Sequence, residues 1–242
     1  MPFGGESAES YHDEGLTASM RGDLDAAIAA FEKALTFDPH HTPSKHQIAK
    51  CYLRLGEIRK AADILCQIAA NRPDMLPARV DYGFALLELN QVEGARTILQ
   101  DVIIAASDNA RAHLGLAHCA FCQGQWDACV ELTQTAIRLG GATVGALFLL
   151  GRAARLAGRL DVGAEAFSKA DEIIEKHIET SPDHPEGYFL RGEVHYHQED
   201  FGKALDNYRS AEDRVVAGKP YLAFGERFTG NDIVAKRGLC YR

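Results

Sequence analysis

The residues best suited to chemistry in this chain lie together at His118, Cys119 and Cys122, with Cys129 on the same stretch. Cys119 and Cys122 have the Cys-x-x-Cys spacing, and thiolates three apart on a helix share one face, so the pair could ligate zinc or exchange a disulfide. A zinc ribbon needs a second such pair, and the sequence holds none. Cysteine also packs as a small hydrophobe. Cys51, Cys66 and Cys240 complete a set of 6 scattered through segments of helical composition. The sequence thus predicts reduced structural thiols with no bound metal, and a metal- or thiol-responsive site at His118, Cys119 and Cys122 is the alternative.

The other polar clusters carry less. His195-Tyr196-His197, beside Glu193, resembles a ligand set, but residues two apart on a helix point to different faces. His40-His41 lies at a predicted turn, and Asp127 and Glu131 fit a solvated helix face. The chain has no Gly-rich phosphate loop, no G-x-S-x-G elbow and no H-E-x-x-H. No catalytic constellation emerges, so neither enzymatic activity nor a cofactor is expected.

The elements that position these residues come from a chain of 242 residues with 26 Lys and Arg against 34 Asp and Glu, a net charge of -8. That balance lacks the basic excess that draws proteins onto nucleic acid. With 46% apolar and 25% charged residues the chain has the composition of a folded protein. No apolar run approaches the length of about 18 residues that spans a bilayer. The opening MPFGGESAESYHDEGLTASM has neither the basic region nor the apolar core of a secretory signal, which points to the cytoplasm.

A repeat organises the whole. Frames starting at Ala8, Thr42, Leu76, Ala110 and Val144 keep a step of 34 residues, and a sixth starts at Pro185 after a seven-residue insertion at 178–184. The eighth position reads Gly15, Ala49, Gly83, Ala117, Gly151 and Gly192. The twentieth reads Ala27, Ala61, Ala95, Cys129, Gly163 and Ala204, and the twenty-fourth reads Phe31, Leu65, Leu99, Thr133, Phe167 and Tyr208. Each frame predicts two amphipathic helices around a turn at Gly22, Gly56, Asn90, Gly124, Gly158 or Glu199. Small residues let the two helices approach, and the large one fills the space beside them. Asp23 and Asp200 are the predicted N-caps of second helices, and Pro43 and Pro185 sit where a first helical turn tolerates proline.

This pattern resembles the tetratricopeptide repeat family, whose period is 34 residues. The resemblance implies an all-α fold, an α-solenoid in which helix-turn-helix units stack into a right-handed superhelix over residues 8–218. Residues 1–7 then form a flexible N-terminus, and 219–242 an aromatic linker with a C-terminal capping helix or half-repeat. It also implies a non-enzymatic scaffold that binds a peptide or helix of a partner protein along the first helix of each repeat. Carried over position by position, the groove residues of the middle repeats are Lys50, Arg54, Phe84, Leu87, Arg111, Leu114, His118 and Phe121. The later repeats supply Phe148, Arg152, Arg155, Phe189, Glu193, Tyr196 and His197. Apolar anchors flanked by cations suit a partner segment with hydrophobic side chains and some negative charge. The family's two-carboxylate clamp wants Lys, Asn, Asn, Lys and Arg at its five positions. Starting from repeat one, the chain offers His12, Leu16, Gln47, Pro77 and Asp81, and no later start does better, so no such clamp is expected.

Two departures remain. The insertion before repeat six predicts a longer second helix in repeat five, projecting Ile174 and Ile178 beyond the usual edge. After repeat six, Ala217 to Gly230 carry Tyr221, Leu222, Phe224 and Phe228 in a segment that reads as a linker. These aromatics either cover the exposed face of repeat six or form a docking loop of Tyr221, Phe224 and Phe228. Residues 231–242 look like the first helix of a seventh repeat, whose Ile233, Val234, Leu239 and Tyr241 could cap the array or support self-association. The chain could also be the regulatory part of a larger enzyme.

Overall fold

The computed structural model describes residues 6–223 and 226–241. Each repeat frame folds as two antiparallel helices. The first helices are α1 (Ala8–Met20), α3 (Thr42–Leu55), α5 (Leu76–Glu88), α7 (Ala110–Cys122), α9 (Val144–Leu156) and α11 (Pro185–His197). The second helices are α2 (Leu24–Phe37), α4 (Ile58–Asn71), α6 (Val92–Ala105), α8 (Trp126–Gly140), α10 (Leu160–Thr180) and α12 (Phe201–Glu212). The chain is an all-α α-solenoid with one short hairpin added, β1 (Tyr221–Ala223) and β2 (Glu226–Phe228), before a last helix, α13 (Gly230–Leu239). It divides into two compact units, residues 1–122 with α1 to α7 and residues 123–242 with α8 to α13.

Local chemistry sets the helix ends. Asp23 accepts from the Ala26 backbone N–H at 3.1 Å, and Asp200 accepts from that of Lys203 at 3.2 Å, each satisfying a donor that the helix leaves orphaned. The six turns between paired helices all need a left-handed residue. Gly22, Gly56, Gly124 and Gly158 adopt it at no steric cost, while Asn90 and Glu199 hold it at φ of 58° and 64°. Packing between partners is governed by the eighth position. Gly15, Gly151 and Gly192 have the rings of Phe31, Phe167 and Tyr208 pressed against them, and each of those three large side chains is essentially fully buried.

In the second unit, the 21-residue α10 does not project Ile174 past an edge. Ile174 is buried in the core with Phe189 and Leu190, and Ile178 packs over Gly187 at the start of α11. The two extra turns roof the helix that follows, and Arg191 fastens it by donating to both oxygens of Asp171 (2.7 and 3.1 Å) and to Glu175 (3.1 Å).

The hairpin corrects the reading of residues 217–230 as an irregular linker. Tyr221 pairs with Phe228, Leu222 with Arg227 and Ala223 with Glu226 in antiparallel register. Tyr221 and Phe228 are buried, and Phe228 stacks on Phe189 of α11 with centroids 4.1 Å apart and planes 8° from parallel. They are therefore core residues of the second unit, not ligands held out for a partner. Phe224, the third residue of the expected docking loop, lies outside the described residues. Helix α13 docks behind the hairpin through buried Ile233, leaving Val234 and Tyr241 exposed.

Candidate protein-interaction surface

In the first unit, groove positions of two successive first helices, α5 and α7, meet. Phe84 of α5 is half-buried, and the Arg111 guanidinium of α7 lies over its ring, 5.5 Å from the centroid. His118 meets the same ring edge-on at 6.2 Å. Leu87 on α5 and Leu114 and Phe121 on α7 are half-buried, while Lys50 and Arg54 of α3 are exposed. Arg54 reaches back to α1 and donates to the Ser19 carbonyl at 3.0 Å and hydroxyl at 3.1 Å.

Beneath this face lies a polar bridge. The buried Asp81 carboxylate of α5 accepts from His46 Nε2 of α3 at 2.7 Å on one oxygen and from Arg111 of α7 at 2.7 Å on the other. Burial alone would raise the Asp81 pKa. The His46 hydrogen bond and the Arg111 charge outweigh it and hold the group below the ordinary carboxylate range. The resemblance places His46 among the groove positions of repeat two, but its pairing with a buried Asp81 does not stand out in the sequence. The available signal is an aspartate between Val80 and Tyr82 on a helix whose neighbouring positions are apolar.

The second unit repeats the theme of a cation on an aromatic. Arg152 sits over Phe148 of its own helix α9, 5.6 Å from the centroid. His197 of α11 meets Phe148 edge-on at 5.2 Å and lies parallel to Phe167 at 6.1 Å. Burial, reinforced by Arg152 and further cations nearby, pushes the His197 pKa down to about 4, so the imidazole is neutral at pH 7. Arg155 donates to the His197 carbonyl and the Glu199 carboxylate, capping the end of α11. Tyr196 is half-buried and meets Phe201 edge-on at 5.6 Å.

Two expected groove residues are not on an open face. Phe189 is only 3% exposed because the hairpin folds over its end of α11. Glu193 is equally buried, accepting from the Tyr208 hydroxyl at 2.6 Å and from Lys236 of α13 at 2.7 Å. In the family pattern both positions look outward; here the hairpin and α13 cover them.

The thiols do not assemble into a centre. Cys119 is buried, donates toward the Val92 carbonyl at 3.8 Å, and has its pKa pushed up to about 11 by burial and the neighbouring Cys122. That direction disfavours the thiolate that redox chemistry or metal binding requires. Cys122, at the end of α7, is exposed while Cys119 is buried, and His118 meets Phe84 edge-on. Among the described residues no group of three His, Cys, Asp or Glu side chains could hold a metal ion, and all 6 cysteines are free thiols.

The tetratricopeptide repeat family matches residues 18–74, 58–113, 110–134, 123–176 and 170–217. The chain belongs to the tetratricopeptide repeat family. Cellulose synthase operon protein C of Pseudomonas fluorescens (strain SBW25) is 39% identical over 82 residues, which are 33% of this chain and 6% of that protein. This repeat chain therefore spans only a small part of that relative's length. A tetratricopeptide repeat protein from Parabacteroides merdae ATCC 43184 superposes with a TM-score of 0.69 at 18% identity, over 97% of this chain and 84% of its own. The 41-end portion of MamA from Desulfovibrio magneticus RS-1 gives 0.60 at 22% identity, over 71% of this chain and 97% of its own. PilF of Pseudomonas aeruginosa gives 0.63 at 15% identity, over 85% and 90% respectively. At these identities the likeness is one of fold. Tetratricopeptide repeats generally mediate protein–protein interactions. No helix among the described residues is long and apolar enough to cross a membrane.

Proposed function

We propose that this protein is a non-enzymatic, cytoplasmic scaffold that binds a peptide or helix of a partner protein on the exposed faces of its first helices. The observation that carries the reading is the arginine laid on a half-buried aromatic, at Arg111 over Phe84 in the first unit and at Arg152 over Phe148 in the second. Such a pair offers a flat apolar surface with a fixed donor edge, the composition of interaction hot spots. Leu87, Leu114, His118 and Phe121 extend the apolar surface of the first unit, and Lys50 and Arg54 border it with positive charge. Arg155 and Tyr196 flank the pair in the second. The partner segment is then hydrophobic, with negative charge at its margins.

The test is affinity capture from native cell extract, comparing wild type with a Phe84→Glu, Phe121→Glu, Arg152→Glu variant of unchanged helical circular dichroism. A protein present only in the wild-type eluate places binding on these faces and identifies the partner. Matching eluates overturn the reading.

A further inference from the structure

The bridge at Asp81 says something about partner chemistry that the outward residues alone do not. A carboxylate held by two donors from opposite sides is the arrangement by which proteins capture a carboxylate ligand. Here the two donors come from different helices, His46 on α3 and Arg111 on α7, and each takes one oxygen at 2.7 Å. The anion between them comes from α5, the helix in the middle. His46 and Asp81 are 8% and 5% exposed, whereas the Arg111 side chain is 60% exposed, so the site opens to solvent only on its arginine side. Arg111 thus has its charge compensated from beneath while its planar face rests on Phe84.

We infer that His46 and Arg111 form a carboxylate-binding site that the chain fills with its own Asp81, so that the first unit excludes an incoming carboxylate there and receives partners through neutral and apolar groups. This rests on the reading of this face as a docking surface, and it narrows the partner to an internal segment; a free chain terminus would bring its carboxylate against that of Asp81. Lys50 and Arg54, bordering the face, remain the cations that meet acidic residues at the segment's margin.

The test uses defined probes and no natural partner. A labelled hexapeptide ending in Leu-Asp is titrated by fluorescence anisotropy, once with a free C-terminal carboxylate and once as the amide. Wild type binds the two forms within about twofold of each other. Asp81→Asn still fills the space beside His46 but removes the charge that neutralises the exposed Arg111, so it favours the free acid by about tenfold or more through that arginine, the worth of a charge-assisted pair. Arg111→Gln added to Asp81→Asn abolishes that preference. A tenfold acid preference in wild type, or none in folded Asp81→Asn, overturns the inference.

A second measurement covers a variant that folds poorly. Asp81→Ala is melted, or refolded if it is unfolded, in sodium formate and in sodium chloride at equal ionic strength. Formate entering the vacated site raises the melting temperature, or restores helical circular dichroism, relative to chloride. The Asp81→Ala, Arg111→Gln double variant gives no such response. Identical behaviour of Asp81→Ala in the two salts refutes a carboxylate site, whereas the extract experiment can fail for the docking surface while this one succeeds.

Discussion

The close approach at Gly151 allows one part of the packing to be tested quantitatively. A Cβ built there would lie 2.6, 2.7 and 2.8 Å from three ring carbons of Phe167. Carbon atoms reach their best contact at about 3.5–4.0 Å, so the ring would have to retreat by roughly an ångström. It has nowhere to go, because Phe167 is 1% exposed and is packed against Phe148 and His197. Overpacking of this kind costs about 1–3 kcal/mol, while replacing glycine by alanine within a helix returns about 1 kcal/mol. Gly151→Ala alone is therefore expected to destabilise by roughly 0–2 kcal/mol, too wide a range to decide anything. The coupling decides it. Phe167→Leu removes the offending ring atoms, so the double variant should be more stable than the sum of the singles by about 1–3 kcal/mol. Urea unfolding followed by circular dichroism, with all four proteins showing the same dependence on denaturant, provides the cycle. Additivity within about 0.5 kcal/mol would refute the argument. The chain carries an internal control, since repeat two has Ala49 where the residue facing its partner helix is the smaller Leu65.

Three further outcomes follow from the second unit. His197 has a pKa near 4 in the folded protein against 6.5 when unfolded, so the unfolded state binds more protons between those values. Stability is full above about pH 6.5 and falls by on the order of 3 kcal/mol as the pH drops toward 4, with His12, lowered by burial, acting in the same sense. Thermal melts across that window should lose most of their slope in His197→Leu; an unchanged slope would mean that another group titrates. Lys236→Met leaves the buried Glu193 carboxylate with Tyr208 alone and should cost about 3 kcal/mol, the low end for breaking such a pair. Glu193→Gln in the same chain should recover part of that loss, and no recovery would argue that Lys236 acts through packing. Phe228→Ser should lower the melting temperature through the lost stack on Phe189, by about 3–5 kcal/mol in stability; a normal melt with lost partner capture would instead revive the docking loop.

The sequence made the solenoid legible because its period is enforced by sterics at fixed positions. A small residue must stand where a neighbour's ring arrives, and a left-handed residue must stand in each turn, so the roles of Gly15 with Phe31 and of Gly22 are written in the sequence itself. The hairpin was not legible. Its strands are three residues each, and Ala223-Phe224-Gly225-Glu226 lacks the Asn-Gly or Asp-Gly signature of a tight turn. Phe189 and Glu193 were misplaced for the same reason, since the pattern of α11 cannot reveal that a later segment returns to cover it. The bridge at Asp81 joins residues 35 and 30 positions apart, and only the stacking of three helices brings His46 and Arg111 to it. Periodicity identifies which faces meet, but not which polar atoms then find one another.

The ion pairs between neighbouring helices have a consequence for assembly. A chain built from similar bricks can stack them in the wrong order, or exchange them with a neighbouring molecule, because the apolar surfaces are nearly interchangeable. The polar contacts are not interchangeable. His46, Asp81 and Arg111 fit only if repeats two, three and four follow in sequence; Arg191 finds Asp171 and Glu175 only between repeats five and six; and Lys236 finds Glu193 only at the end. A misplaced brick would bury Asp81 or Glu193 without its counterpart, at a cost of several kcal/mol, and would leave the part-exposed Arg191 without its partners. Each pair thus works as an address, written in charge, that tells otherwise similar repeats where they belong.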